Sequence, residues 1–218
     1  MATEWHSAMK TVGVVLLAAG LSRRMGEVNK LLLDIDGQPM VARMAKMFSE
    51  TGAGDLVCVT GFEVEHVTEA LAGMSVRAVH NPDFEDGQQS SVLVGLNAVS
   101  SECRHVIVAL ADQPSLSVED VLTLASAHFM ECRHRAAQEG MNEPELITVP
   151  YNEHGRGNPV MMTMACLRDV AGGKVSLGCR KLIDKHPEWV HRFDVDSEGF
   201  YLDIDRPQDW DRLSAGRQ

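Results

Sequence analysis

Between Leu17 and Lys30 the chain reads Leu-Ala-Ala-Gly-Leu-Ser-Arg-Arg-Met-Gly-Glu-Val-Asn-Lys. Two small alanines and a glycine let a ligand approach the backbone closely. The N–H groups exposed in such a loop form a nest for an anion. Arg23, Arg24 and Lys30 bring three positive charges into this one loop. The chemistry this suits is holding a polyphosphate. No Gly-Lys-Ser/Thr follows at Walker A spacing, and the loop is not Gly-x-Gly-x-x-Gly. The plain alternative is a surface turn whose arginines face water.

Carboxylates form a second group. Asp112 directly follows an apolar run ending Val108-Ala109-Leu110. A carboxylate placed there must be hydrated, paired or bound to a metal. Asp203 and Asp205 are two residues apart, so in a strand both would project to one face and Ile204 to the other. Two or three carboxylate oxygens with phosphate oxygens and water suit Mg²⁺. Asp112 could instead serve a turn or a helix N-cap, and Asp203 a solvent-facing strand or loop position.

The elements that must position these groups alternate. Val12–Leu17 is a continuous apolar run, read as a strand buried on both faces. Further strands are expected at 56–60, 75–79, 105–110, 146–149 and 189–195. Helices are expected at about 38–49, 64–71, 90–99 and from 118 to 129, with 131–145 a helix end plus loop and 177–185 a further helix. Met40, Val41, Met44, Met47 and Phe48 share one helical face, which is better explained by core packing than by cofactor contact. Strands alternating with helices imply a mainly parallel, doubly wound sheet in a single α/β domain. Such sheets bind ligands at the carboxyl ends of their strands, which selects 18–30 and 111–114. Residues 1–10 read as a loose tail before a domain at 11–218.

Composition narrows the function classes. With 20 Lys and Arg against 31 Asp and Glu, the net charge is −11. That opposes binding to nucleic acid or an anionic membrane, and no apolar run reaches the length of a membrane span. A phosphate must therefore be met by local cations, a metal ion or backbone N–H groups. The five cysteines are odd in number and form no Cys-x-x-Cys, which fits reduced thiols in the cytoplasm. His128 and Cys132, at i and i+4, with His134 nearby, lack a fourth group and read as a partly exposed helix end rather than zinc ligands.

The first loop resembles the nucleotide-binding signature L-A-A-G-x-S-x-R-M-G-x-x-x-K of the molybdopterin nucleotidyltransferase-like family. Leu17, Ala18, Ala19, Gly20, Ser22, Arg24, Met25, Gly26 and Lys30 match its fixed positions. Further stretches follow in the family's order: Gly87-Gln88-Gln89-Ser90-Ser91, Ala111-Asp112-Gln113-Pro114, Arg156-Gly157-Asn158-Pro159-Val160, Leu177-Gly178-Cys179-Arg180, and Asp203-Ile204-Asp205-Arg206-Pro207-Gln208-Asp209. Two positions depart from the pattern. Val175-Ser176 stands where Gly-Asp is frequent, and Arg206 where Thr is usual; Arg206 is either a phosphate contact or a surface charge.

The resemblance implies a Rossmann-like nucleotidyltransferase fold and transfer of CMP from CTP to the phosphate of a molybdopterin-type molybdenum cofactor. It implies nucleotide binding by Leu17, Ala18, Ala19, Gly20, Ser22, Arg23, Arg24, Lys30, Gly87, Ser90 and Ser91. Lys30, Arg24 and Asp112 would be catalytic, and Mg²⁺ would sit on Asp112 and Asp205. Arg156, Asn158 and Arg180 would face the acceptor, and a molybdenum hydroxylase would be the client. Guanylyl members of the family carry Gly-Gly where this chain has Ala18-Ala19, which favours CTP. A guanylyl- or sugar-phosphate transferase and a non-catalytic carrier of the cofactor stand as alternatives; the presence of Lys30, Asp112 and Asp205 favours an enzyme.

Overall fold

The computed structural model describes residues 7–26, 28–140, 142–167 and 179–215. Strands are β1 (Val12–Ala18), β2 (Asp34–Ile35), β3 (Gln38–Pro39), β4 (Asp55–Thr60), β5 (Arg77–His80), β6 (His105–Leu110), β7 (Ile147–Asn152), β8 (Gly155–Arg156), β9 (Val160–Thr163) and β10 (Val190–Asp194). Helices are α1 (Met40–Glu50), α2 (Val64–Ala70), α3 (Gln88–Ala98), α4 (Val118–Glu139), α5 (Cys179–Lys185) and α6 (Pro207–Ala215).

The main sheet runs β10-β7-β9-β6-β1-β4-β5, with β8 paired to β7; β2 and β3 form a separate hairpin. β1 is parallel to both β4 and β6, β4 to β5, and β7 to β10. β9 alone along this path runs antiparallel to its neighbours β6 and β7. The sheet is therefore mainly parallel, as expected, but mixed. β9 was not foreseen in the sequence: its four residues follow the turn-forming Gly155-Arg156-Gly157-Asn158-Pro159, and two of them are methionines, which are not among the enriched strand residues.

Every residue of β1 is buried, because helices cover both faces. Val14, Leu16 and Ala18 pack with α1, α2 and α4 through Met44, Phe48, Val67 and Val121. Val15 and Leu17 pack on the other face with Val92 and Leu96 of α3. The period-2 alternation of a strand is present but hidden, since both faces need apolar side chains. α3 approaches very closely at Gly95, where an added Cβ would lie 2.2 Å from Val15 Cγ1.

Two expectations shift. α4 continues through Glu139, so the polar segment after Phe129 is helix for most of its length; its solvent face needs no apolar periodicity. It starts at a capping box, with Ser117 Oγ accepting from Asp120 N–H and Asp120 Oδ2 from Ser117 N–H. At the other shift, the described part of the expected tail is packed: Met9 is fully buried, and its carbonyl accepts from Gly54 N–H. No described helix is long and apolar enough to cross a membrane.

Candidate active site

β1 and β6 are neighbours in register, with Leu17 beside Leu110. The loop after β1 and the Asp112 turn after β6 therefore leave the sheet side by side at its carboxyl edge. Ala111 N–H donates to Leu17 O at 3.0 Å and extends the pairing to the rim.

The first loop is held by its own polar side chains. Ser22 takes a left-handed backbone, φ 49°, before a short 3-10 turn at Arg23–Met25. Its hydroxyl donates to Asn29 Oδ1 at 3.5 Å and accepts from Lys30 N–H at 3.2 Å. Asn29 Oδ1 also accepts from Leu31 N–H at 3.1 Å. Ser22 and Asn29 thus close the loop from inside, so that Arg23 and Arg24 project outward while Lys30 is turned in.

Lys30 is only 8% exposed. Its Nζ donates to Asp112 Oδ2 at 2.5 Å and to Asp205 Oδ1 at 2.8 Å. Arg24 pairs with the other oxygen of Asp205. Burial pushes the Lys30 ammonium down, but the Asp112 charge and the hydrogen bonds to both carboxylates outweigh it and hold it above its ordinary value. The Lys30 hydrogen bond, against opposing burial, keeps Asp205 below the usual carboxylate range. Asp203 is pushed up, first by burial and then by the charges of Asp112 and Asp205. The three acidic residues thus share one electrostatic site.

Asp203 and Asp205 do not lie in a strand. Residues 202–205 are irregular, Ile204 is buried, and Ile204 N–H donates to Asp112 O at 2.9 Å. Asp209 Oδ2 accepts from the N–H groups of Asp205 and Arg206. This side-chain bracket, rather than strand geometry, sets the position of Asp205. Arg206 itself is exposed and lines neither cavity.

Two adjoining cavities open at this edge. One, of ≈ 490 Å³, is lined by Leu17, Ala19, Gly20, Ser22, Arg23, Arg24, Lys30, Gly87, Ser91, Asp112 and Asp205, with Phe84 and Gln88. The other, of ≈ 450 Å³, is lined by Arg156, Asn158, Arg180, Lys181, Cys179 and Gln89. They share Leu17, Gly87, Gln88 and Leu110. Leu17 and Gly87 thus line both cavities, while Ala19, Gly20, Ser22, Arg23, Arg24, Lys30 and Ser91 line the first and Arg156, Asn158 and Arg180 the second. α3 begins at their boundary after Gly87, whose φ of 105° suits glycine, and its N-terminal N–H groups add positive potential there.

Two expected residues serve the frame instead of the cavity lining. Ala18 is packed in the core beneath the loop. Ser90 Oγ accepts from Asn81 Nδ2 at 2.9 Å and contacts the carbonyls of Asp83 and Gly87, which anchors the turn into α3. Ser91 accepts from the same Asn81 amide. Arg156 donates to Asp184 Oδ1 at 2.6 Å and to Tyr151 Oη at 3.0 Å, so it is fixed on the rim. Lys181 is the cation not singled out in the sequence; its adjacency to Arg180 was the available signal. Leu177, Gly178 and the Val175-Ser176 departure lie outside the described residues.

The site's fit to a divalent cation rests on Asp112. Its Oδ1 is buried and has no hydrogen-bond partner among the described residues. A carboxylate oxygen without a donor, beside a second carboxylate and next to a cationic loop, is the donor set Mg²⁺ takes when phosphates supply its other ligands.

Residues 14–190 match the MobA-like NTP transferase domain. The chain belongs to that family. A 31% identical relative, nicotine blue oxidoreductase of Paenarthrobacter nicotinovorans, aligns over 91% of this chain and 94% of its own length. Molybdenum cofactor cytidylyltransferase of Escherichia coli K12 is 23% identical, with 93% and 95% covered. Among solved structures, a nucleotidyl transferase from Methanothermobacter thermautotroptrophicus superposes with a TM-score of 0.75 at 22% identity, covering 94% of this chain and 96% of that one. The family's fold is thus a nucleotidyltransferase fold, as the resemblance implied.

Proposed function

We propose that this protein transfers CMP from CTP to the terminal phosphate of a molybdopterin-type cofactor. The observation that supports it best is the cluster of Lys30, Asp112 and Asp205 lining the cavity under the first loop, which adjoins a second cavity carrying Arg156, Arg180 and Lys181. The name of the Escherichia coli relative and the Ala18-Ala19 pair favour this nucleotide and acceptor.

In this reading an acceptor phosphate oxygen attacks the α-phosphorus of CTP. One P–O bond forms, the bond to the β-phosphate oxygen breaks, and pyrophosphate leaves. The nucleophile is already an anion, so positioning and charge neutralisation carry the catalysis. Arg23 and Arg24 would draw the triphosphate into the loop. Lys30 would neutralise charge as pyrophosphate departs. Arg180 and Asn158 would orient the acceptor, with Arg156 holding the rim. Mg²⁺, held by Asp112 and Asp205, would supply further neutralisation of the phosphates.

A second reading is favoured by the 31% identity to the Paenarthrobacter nicotinovorans relative: an oxidoreductase rather than a transferase. One experiment separates the two. Each NTP is incubated with Mg²⁺ and the molybdopterin-type acceptor, pyrophosphate is measured, and the product is weighed by mass spectrometry. CTP-dependent pyrophosphate and a cytidylylated acceptor support transfer; no pyrophosphate from any NTP overturns it.

A further inference from the structure

At the opposite edge of the sheet from the cleft, three metal-ligating side chains converge. His105 is the first residue of β6, and His128 and Cys132 stand at i and i+4 on α4. One ligand atom from each lies within 4.8 Å of the others. The sequence pairs His128 with Cys132 but offers His134 as the third group. The fold supplies His105 instead, from a strand more than twenty residues earlier.

The two imidazoles are already close to a chelating arrangement. His105 Nδ1 lies 3.1 Å from His128 Nε2. Zinc bonds of about 2.0–2.1 Å to nitrogen place two ligand nitrogens roughly 3.3 Å apart in a tetrahedron. The other ring nitrogen of His128 is 2.8 Å from Thr148 Oγ1 on β7. That contact fixes the ring so that Nε2 faces His105, which is how an outer hydrogen bond orients a metal-bound histidine. His128 is fully buried, whereas Cys132 is partly exposed, so the thiol side is the route of entry.

We propose that His105, His128 and Cys132 form a binding site for Zn²⁺, remote from the nucleotide cleft. Two imidazoles and a thiolate suit this borderline-soft ion, and three protein ligands with water in fourth place is an established zinc arrangement. Binding releases one proton to solvent from the Cys132 thiol. The proton now shared between the imidazoles moves to the outer nitrogen of its own ring, leaving both facing nitrogens with lone pairs. The ion would join the start of β6 to the middle of α4. β6 alone, at about 3.3 Å per residue, sets it many ångströms from Asp112, so nucleotide binding should not depend on it.

The test uses the full chain, stripped with chelator and reduced, then titrated with Zn²⁺ or Co²⁺ alone. The expected result is one tightly held Zn²⁺ per chain after desalting, and with Co²⁺ a thiolate-to-metal charge-transfer absorption. That absorption distinguishes this site from metal held by the cleft carboxylates. Cys132→Ser should abolish both signals while calorimetric binding of a non-reactive CTP analogue is unchanged. Thr148→Val should weaken Zn²⁺ by about 10- to 100-fold. Absence of the absorption in the wild-type chain, or its persistence in Cys132→Ser, overturns the proposal and leaves His105, His128 and Thr148 as a buried hydrogen-bond chain. Should Thr148→Val fail to fold, Cys132→Ser decides alone, since serine nearly matches cysteine in size at this partly exposed position.

Discussion

Lys30 and Asp112, 82 positions apart in the chain, meet at 2.5 Å at the carboxyl edge of the sheet. The contact joins the end of the first loop to the end of β6, and Asp205 closes it from the C-terminal segment. The ammonium occupies the space between two carboxylates. In the proposed reaction, a nucleotide entering with a cation would meet a site whose charges are already paired, and would redistribute them.

Asp112→Asn keeps the shape of this junction and removes its charge. Turnover should fall at least about 100-fold, as when a main electrostatic stabiliser is lost, and chelation of Mg²⁺ should abolish it in the wild type. Near-normal turnover of the variant at saturating Mg²⁺ would remove Asp112 from the mechanism.

Base choice should favour CTP well above GTP. A hydrogen-bonding base site can discriminate by several kcal/mol, on the order of 10⁴-fold at best. A competition assay in which GTP is used equally or better would overturn the assignment.

Lys30→Ala should raise KM for the nucleotide and lower kcat, because charge also builds on the leaving pyrophosphate. Arg180→Ala, in the second cavity, should weaken the acceptor and leave binding of a non-reactive CTP analogue nearly unchanged. Equal loss of nucleotide binding in both variants, measured by calorimetry, would contradict the two-compartment division.

Asp203 and Asp205 should respond oppositely to pH. Asp205 has its folded pKa lowered, so its contribution is present above about 3.9, the ordinary unfolded value, and is lost as pH falls through the lower folded value. Asp203 has its folded pKa raised, so stability falls as pH rises above the ordinary unfolded value and the full cost is present above the folded one. Asp203→Asn should therefore raise Tm at pH 7 in the absence of metal, and the gain should vanish in acid below both pKa values. A Tm that falls at pH 7 would show that Asp203 is not repelled there.

Gly95→Ala tests the close approach that seats α3 over β1. The added Cβ meets Val15 Cγ1 at 2.2 Å, and overpacking of this kind costs about 1–3 kcal/mol. Denaturant unfolding should show that loss; an unchanged midpoint would mean that the helix shifts freely.

The mainly parallel α/β class and the cation-rich loop after β1 were legible in the sequence. Each rests on local chemistry: apolar runs such as Val12–Leu17, small residues at Ala18-Ala19-Gly20, and charges gathered in one loop. Strand β9 was not legible, because its reversed direction depends on which strands flank it. Nor was the inward turn of Lys30, since it arises from carboxylates contributed by residues 112 and 205. Ser90 and Ala18 belong to the expected motif, yet their roles in the frame depend on Asn81 and on the packing under β1. His105 joined His128 and Cys132 only through the sheet order. Residue type and spacing determine what a segment can do, because propensity and solvation act locally. Which groups share a site is decided by the tertiary structure, because electrostatic and hydrogen-bond energies depend on distances that chain separation does not set.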